Sequence, residues 1–106
     1  MSISDRYRDT VQDVQQLLAG LRKGEEAEEP NEVGPVAKAA QELAELVEQV
    51  GEIPRIRLES QLTPVLLKAH NHLDRARLLL EEKGSEDRAA EVWEVEQKIY
   101  RLLNDL

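Results

Sequence analysis

The sequence contains no cysteine and no phenylalanine, and it has only one tryptophan and two tyrosines. The absence of cysteine excludes disulfides, thiolate zinc sites, iron–sulfur clusters and cysteine nucleophiles from these residues. It also fits a reducing compartment, so we predict a cytoplasmic protein. Because aromatic side chains are scarce, the core must consist of leucine, valine, isoleucine and alanine. Together with 34% charged residues, this composition favours an all-α fold.

Long apolar runs are also missing, and none approaches the roughly 18 residues that a membrane-spanning helix needs. The first residues lack the apolar stretch of a signal peptide. Basic residues number 14 against 22 acidic ones, which gives a net charge of −8 and opposes binding to nucleic-acid phosphates. We therefore expect a partner that is neither a membrane nor a nucleic acid.

The sequence does contain strong helical periodicity. Apolar residues recur at steps of three and four in four segments, each with capping or stop residues at its ends. At 106 residues the chain is one domain by length. The pattern predicts an antiparallel four-helix bundle with helices at about 4–23, 35–50, 63–83 and 86–105. A glycine and a serine at 84–85 predict a tight turn between the last two helices.

The other two connections are predicted to be irregular. Residues 24–34 contain five glutamates, which predicts a solvated acidic linker. An extended loop is predicted before helix 3, because Pro54 interrupts the period while Thr63 and Pro64 supply an N-cap and a first-turn proline. This loop contains three aliphatic residues that either cover one end of the bundle or stay exposed: Ile53, Ile56 and Leu58.

Helix 3 is apolar over more of its circumference than one core requires. Leu67 and Leu78 lie about 140–160° from its apolar seam, where a monomeric bundle normally carries charges. On helix 4, Trp93 and Tyr100 are seven residues apart and share one flank. Aromatic and aliphatic anchors are the usual sources of interface energy. We predict that these four residues contact a protein partner or a second copy of the chain, with a homodimer favoured.

The stretch KAHNHLDRAR holds both histidines, His70 and His72. Two positions apart on a helix, their rings point about 200° apart and cannot share a metal ion. His70 and Asp74 have i, i+4 spacing with Arg77 on the same flank, which predicts a surface charge network. On helix 4, Glu96 is turned partly toward the core and needs a partner, which a histidine or arginine of helix 3 can supply.

Helix 2 carries Glu42, Glu45 and Glu48 at steps of three. Over about 12 residues this run resembles the magnesium-binding carboxylates of all-α nucleotide pyrophosphatases of the MazG type. The resemblance implies a divalent-metal-dependent hydrolase that would use Glu42, Glu45 and Asp74. However, Gln41 stands at the family's first glutamate, and the second acidic pair is missing. Our first hypothesis is therefore a non-enzymatic interaction module without metal or cofactor, and this hydrolase is the alternative.

Overall fold

The structure is a computed structural model that describes residues 2–23 and 30–106. Over these residues it contains four α-helices, one short 3-10 helix and no strand, so the predicted all-α class is confirmed. The helices are α1 (Ile3–Arg22), α2 (Val33–Ala44), α3 (Arg55–Glu82) and α4 (Glu86–Asn104), and the 3-10 helix is Val50–Glu52.

The four helices pack around one apolar core. α1 contacts α2 and α4, and α3 contacts the same two helices. The core is aliphatic as predicted, with Tyr7 as its one aromatic side chain. The Tyr7 hydroxyl donates a hydrogen bond to the carbonyl of Leu43, and burial raises the pKa of Tyr7 above its usual range. None of the helices in the described part of the chain is long and apolar enough to cross a membrane.

The N-terminal part of α3 corrects the sequence prediction of an extended loop. α3 begins at Arg55, directly after Pro54 in the N-cap position. The prediction was wrong because the apolar period continues upstream, where Leu58 packs against the core one turn before the buried Leu62. Pro64 therefore lies inside α3 and not at its start.

The aliphatic residues of that segment behave differently from one another. Ile53 and Leu58 are partly buried against the core, as expected for residues that cover one end of the helices. Ile56 is 90% exposed, which agrees with the alternative prediction that residues of this segment stay exposed to solvent.

α2 is shorter at its C-terminal end than predicted. It ends at Ala44, and residues 45–49 form turns that lead into the 3-10 helix. Side chains of α1 contact the carbonyls of this region, since Tyr7 donates to Leu43 and the Arg8 Nε donates to the Val47 carbonyl at 3.3 Å. These contacts from another helix supply hydrogen-bond donors to carbonyls at and just beyond the end of α2.

The predicted acidic linker, 24–34, lies partly outside the described residues, which omit 24–29. Of the remainder, residues 33–34 already belong to α2, which begins at Val33, and Glu32 is not solvated but only 3% exposed. The Lys83 Nζ lies 2.6 Å from a carboxylate oxygen of Glu32. The acidic sequence around Glu32 predicted that its carboxylate would be solvated. In the structure, the carboxylate is instead compensated by Lys83, which is distant in the sequence.

The turn between α3 and α4 matches its prediction. Gly84 has a φ of 80°, a left-handed conformation that glycine adopts without steric cost. The Ser85 backbone N–H donates to the Leu80 carbonyl at 2.9 Å and closes the end of α3. The Ser85 side chain makes no capping hydrogen bond. Because α4 starts at the next residue, it packs alongside α3 immediately after the turn.

Candidate interaction surface

All five of the large apolar side chains that are most exposed lie on α3 and α4, and four of them are the residues that the sequence predicted. They are Leu67 and Leu78, each 48% exposed, Trp93 at 51% and Tyr100 at 55%. We call the surface formed by these four residues and the polar residues between them the α3–α4 face. The sequence predicted this set of residues, and their contact with a partner stays a prediction.

Helix geometry places the four side chains on the same solvent-exposed side of the α3–α4 pair. At about 100° per residue, Leu67 and Leu78 lie on the half of α3 that also carries Arg77. By the same measure, Trp93 and Tyr100 lie on the half of α4 that carries Glu96. Since the Arg77 Nε is 3.4 Å from Glu96 Oε2, these two halves adjoin. The four apolar side chains therefore lie on one exposed surface, and the furrow between α3 and α4 runs along this surface.

Beside Trp93 the furrow widens into an open cleft of about 500 Å³. Its lining combines small and aromatic apolar side chains with charged ones: Ala89, Ala90, Trp93, Arg77, Glu81 and Glu86. The Arg77 Nη1 donates to Glu81 at 2.8 Å, so this part of the rim is already an ion pair. A shallow cleft with an exposed indole and a polar rim is typical of a protein-contact surface.

A cluster of charged and titratable side chains lies at the middle of the face, and Glu96 is its buried member. Glu96 of α4 is its centre, and its side chain is 3% exposed. Its Oε1 lies 3.7 Å from His70 Nε2, and its Oε2 lies 3.4 Å from Arg77 Nε. The prediction that Glu96 would find its partner on helix 3 is confirmed.

Arg77 donates its hydrogen bonds to carboxylates other than that of Glu96. Its Nε and Nη2 donate to Asp74 Oδ1 at 3.1 and 2.8 Å. Because the single Nε hydrogen points at Asp74, Glu96 Oε2 is close to a positive charge but accepts no hydrogen bond. An ionised Glu96 would therefore lose its hydrogen bonds to water, and protein donors would not fully replace them.

The surroundings shift the pKa values of the two carboxyl groups of the cluster, Glu96 and Asp74, in opposite directions. Burial, together with the adjacent Asp74, raises the pKa of Glu96 to about 8. Hydrogen bonds from Arg77 lower the pKa of Asp74 below its usual value. At neutral pH, Asp74 is ionised and Glu96 retains a proton that it can donate to Asp74. With almost no solvent access at Glu96, the arrangement favours a role in joining α3 to α4.

The two histidines have separate partners on opposite sides of α3. His72 Nε2 lies 3.1 Å from Glu42 Oε1 of α2, whereas His70 faces Glu96 of α4. The predicted divergence of the rings is confirmed. Over residues 2–23 and 30–106, no group of three or more histidine, aspartate or glutamate side chains is placed to hold a metal ion.

The carboxylates of the alternative hydrolase hypothesis do not converge. Glu42 pairs with His72 on the side of α3 that faces α2. Asp74 pairs with Arg77 on the side that faces α4. Glu45 is exposed in the turn after α2. The structure therefore does not bring these three side chains to one site.

Comparisons with known proteins supply no relative for this chain. No family model matches it, and no curated protein or solved structure matches it. The α3–α4 face is therefore interpreted from its own geometry and charge.

Sequence reasoning left one feature outside the face open and missed another. The exposure of Ile56, one of two alternatives in the sequence, follows once α3 is extended back to Arg55, because the helical period then turns its side chain away from the core. The burial of Glu32 has no local signal, since its partner Lys83 is far away in sequence.

Proposed function

We propose that this chain is a non-enzymatic protein–protein interaction module that self-associates through the α3–α4 face. The observation that carries the proposal is the concentration of exposed apolar side chains on one face. Single exposed leucines are common on protein surfaces. Two leucines that share a face with the chain's one tryptophan and an exposed tyrosine are better explained as a contact site.

The scaffold that we propose for this face is an antiparallel four-helix bundle. Two observations support it: the tight turn that returns α4 along α3, and the placement of α1 and α3 between the same two neighbours. In this arrangement Leu73, Leu80 and Ile99 fill the core without help from the α3–α4 face. The apolar residues of the face are then available to a partner.

Charge and composition support the choice of partner and compartment. A net charge of −8 disfavours nucleic acid and favours a protein partner. The lack of cysteine fits a reducing environment, so we place the protein in the cytoplasm as part of the same proposal. The separation of Glu42 and Asp74 on opposite sides of α3 supports a role without metal-dependent hydrolysis.

Absolute mass by light scattering on a sizing column, over a concentration series, tests the proposal. We expect the wild-type mass to rise from that of one chain toward that of two. Leu67→Glu and Leu78→Glu should each keep the mass of one chain at the same concentrations, because association would bury an unpaired charge.

Ile56→Glu is the matched control, since Ile56 is an exposed aliphatic residue on the same flank of α3 but lies 11 residues before Leu67, beyond the end of the face. This variant should self-associate like the wild type. A wild-type chain that keeps the mass of one chain throughout would contradict the proposal. So would a dimer that Leu67→Glu and Leu78→Glu leave intact.

A further inference from the structure

We infer that two copies pack face to face with α3 on α3 and α4 on α4, each pair running in opposite directions about one two-fold axis. This arrangement rests on the proposed self-association. In this arrangement the apolar residues of the α3–α4 face in one copy fit against the same face in the other copy. A two-fold interface between identical chains requires this self-complementarity.

The leucines of α3 supply the first part of the argument. Leu67 and Leu78 are equally exposed, and the point midway between them falls between residues 72 and 73. A two-fold axis that crosses α3 at this point turns the helix end for end. Leu67 of one copy then meets Leu78 of the other, and the same contact forms again on the opposite side of the axis.

The aromatic residues of α4 supply the second part. The midpoint of Trp93 and Tyr100 falls between residues 96 and 97. An axis that crosses α4 there brings Trp93 of one copy onto Tyr100 of the other. Aromatic pairs of this kind contribute to binding beyond the burial of their surface.

The relative level of α3 and α4 shows that one axis serves both pairs. Glu96 contacts His70 and Arg77, so it is level with a point between residues 73 and 74 of α3. Because α3 and α4 run in opposite directions, a move of one residue toward the N-terminus of α3 corresponds to a move of one residue toward the C-terminus of α4. The α3 midpoint is then level with residue 97, within roughly 1 Å of the α4 midpoint at a rise of 1.5 Å per residue.

Charge distinguishes this arrangement from its main competitor. A two-fold axis parallel to the helices would place the ends near the Gly84 turn together. At that end of the face Glu81 is paired with Arg77, but Glu82 and Glu86 add two further negative charges in each copy, and these like charges would repel. The axis that we infer separates the two acidic ends. It also places the outward-facing Arg101 within about 3 Å along the helix of Glu94 in the second copy.

The size of the face is sufficient for a modest interface. Its length from residue 63 to residue 82 is about 28 Å, and two helices packed at about 10 Å give a width of roughly 20 Å. These dimensions correspond to roughly 600 Å² per copy, compared with about 800 Å² per partner in a standard interface. We therefore expect a reversible dimer of micromolar affinity.

Cysteine cross-linking tests the axis directly, because the chain has no cysteine of its own. Gln97 lies next to the inferred axis, so Gln97→Cys in one copy would face the same cysteine in the other. Ala90→Cys is the matched control on the same helix, because residue 90 lies further from the inferred axis and its two copies would be about 20 Å apart. Under mild oxidation we expect a covalent dimer from Gln97→Cys and none from Ala90→Cys.

A charge exchange provides an independent test. Arg101→Glu and Glu94→Arg should each weaken dimerisation by about fivefold, since each places like charges together twice per dimer. An equal mixture of the two variants should recover wild-type affinity, because both cross-interface pairs then have opposite charges. Recovery supports the inferred pairing.

The failure of this inference can be separated from failure of the proposed function. A dimer that Leu78→Glu dissociates, but in which Gln97→Cys stays unlinked and the mixed charge variants do not recover, would overturn the arrangement alone. A wild-type chain that shows the mass of one chain would overturn both.

Discussion

Glu96 and Asp74 belong to one cluster, yet their surroundings move their pKa values in opposite directions. Asp74 accepts two hydrogen bonds from Arg77, which favour its ionised form. Glu96 is buried, and its Oε2 accepts none. His70, Asp74 and Arg77 are the charged or titratable groups that α3 places around it. The packing of α3 against α4 therefore determines whether Glu96 is protonated.

This proton makes stability depend on pH in a defined direction. The pKa of Glu96 is about 8 in the folded chain, against an ordinary value of 4.5, so the folded chain binds the additional proton between these values. Its stabilising effect is complete below pH 4.5 and is lost as the pH rises through 8. Across this window the free energy of unfolding should fall, on the order of 1 kcal/mol for each tenfold difference in proton affinity between the folded and unfolded chains.

Urea unfolding at pH 5 and pH 9 measures this effect. We expect Glu96→Gln, which has no carboxyl proton to lose, to show a clearly smaller decrease than the wild type. Glu94→Gln, an exposed residue of the same helix, should behave like the wild type. Equal decreases in wild type and Glu96→Gln would show that Glu96 does not carry the proton.

At the scale of the helix, α3 shows what local sequence signals can and cannot predict. Thr63 and Pro64 form a strong local start signal, and Pro54 interrupts the period before them. The apolar period through Leu58 and Leu62 extends further upstream, and burial of these side chains favours helix despite the internal proline. Tertiary packing therefore decided where the helix begins, and a prediction from caps alone placed the start too late.

Replacement of Pro64 tests this account of α3. Inside a helix, proline removes one backbone hydrogen bond and crowds the carbonyl four residues earlier, at a cost of about 3 kcal/mol. We expect Pro64→Ala to raise the free energy of unfolding by about 1–3 kcal/mol in urea titrations. Pro54→Ala, at the N-cap position, should change it much less. If Pro64→Ala gives no gain, α3 begins near residue 63 as the local signals indicated.

The sequence also predicted the exposure of the α3–α4 face and the pairing of Glu96 with helix 3, because both depend only on angular position around a helix. It did not predict contacts between distant elements. Tyr7 caps the end of α2, and Lys83 compensates Glu32, through packing that no local pattern encodes. Local periodicity thus predicts which side chains share a face, while tertiary packing determines their remote partners.

At the scale of the whole molecule, shape and symmetry limit how far association can proceed. The molecule measures 45 by 22 by 21 Å, and α3, at 28 residues or about 42 Å, runs along most of its length. Ile56 lies about 25 Å from the inferred axis, beyond the end of the second copy. A two-fold contact uses each α3–α4 face once, so assembly stops at two chains. The net charge of −8 on each copy opposes larger aggregates.

Trp93 offers the most direct measurement of the central claim, since it is the one tryptophan of the chain and is 51% exposed on the α3–α4 face. Acrylamide quenching of its fluorescence, measured over the concentration range in which the mass changes, reports whether a second copy covers it. We predict weak quenching at high concentration and stronger quenching on dilution, with Leu78→Glu strongly quenched throughout. A mass that doubles while the quenching of Trp93 stays constant would show that two copies meet elsewhere and would contradict the account.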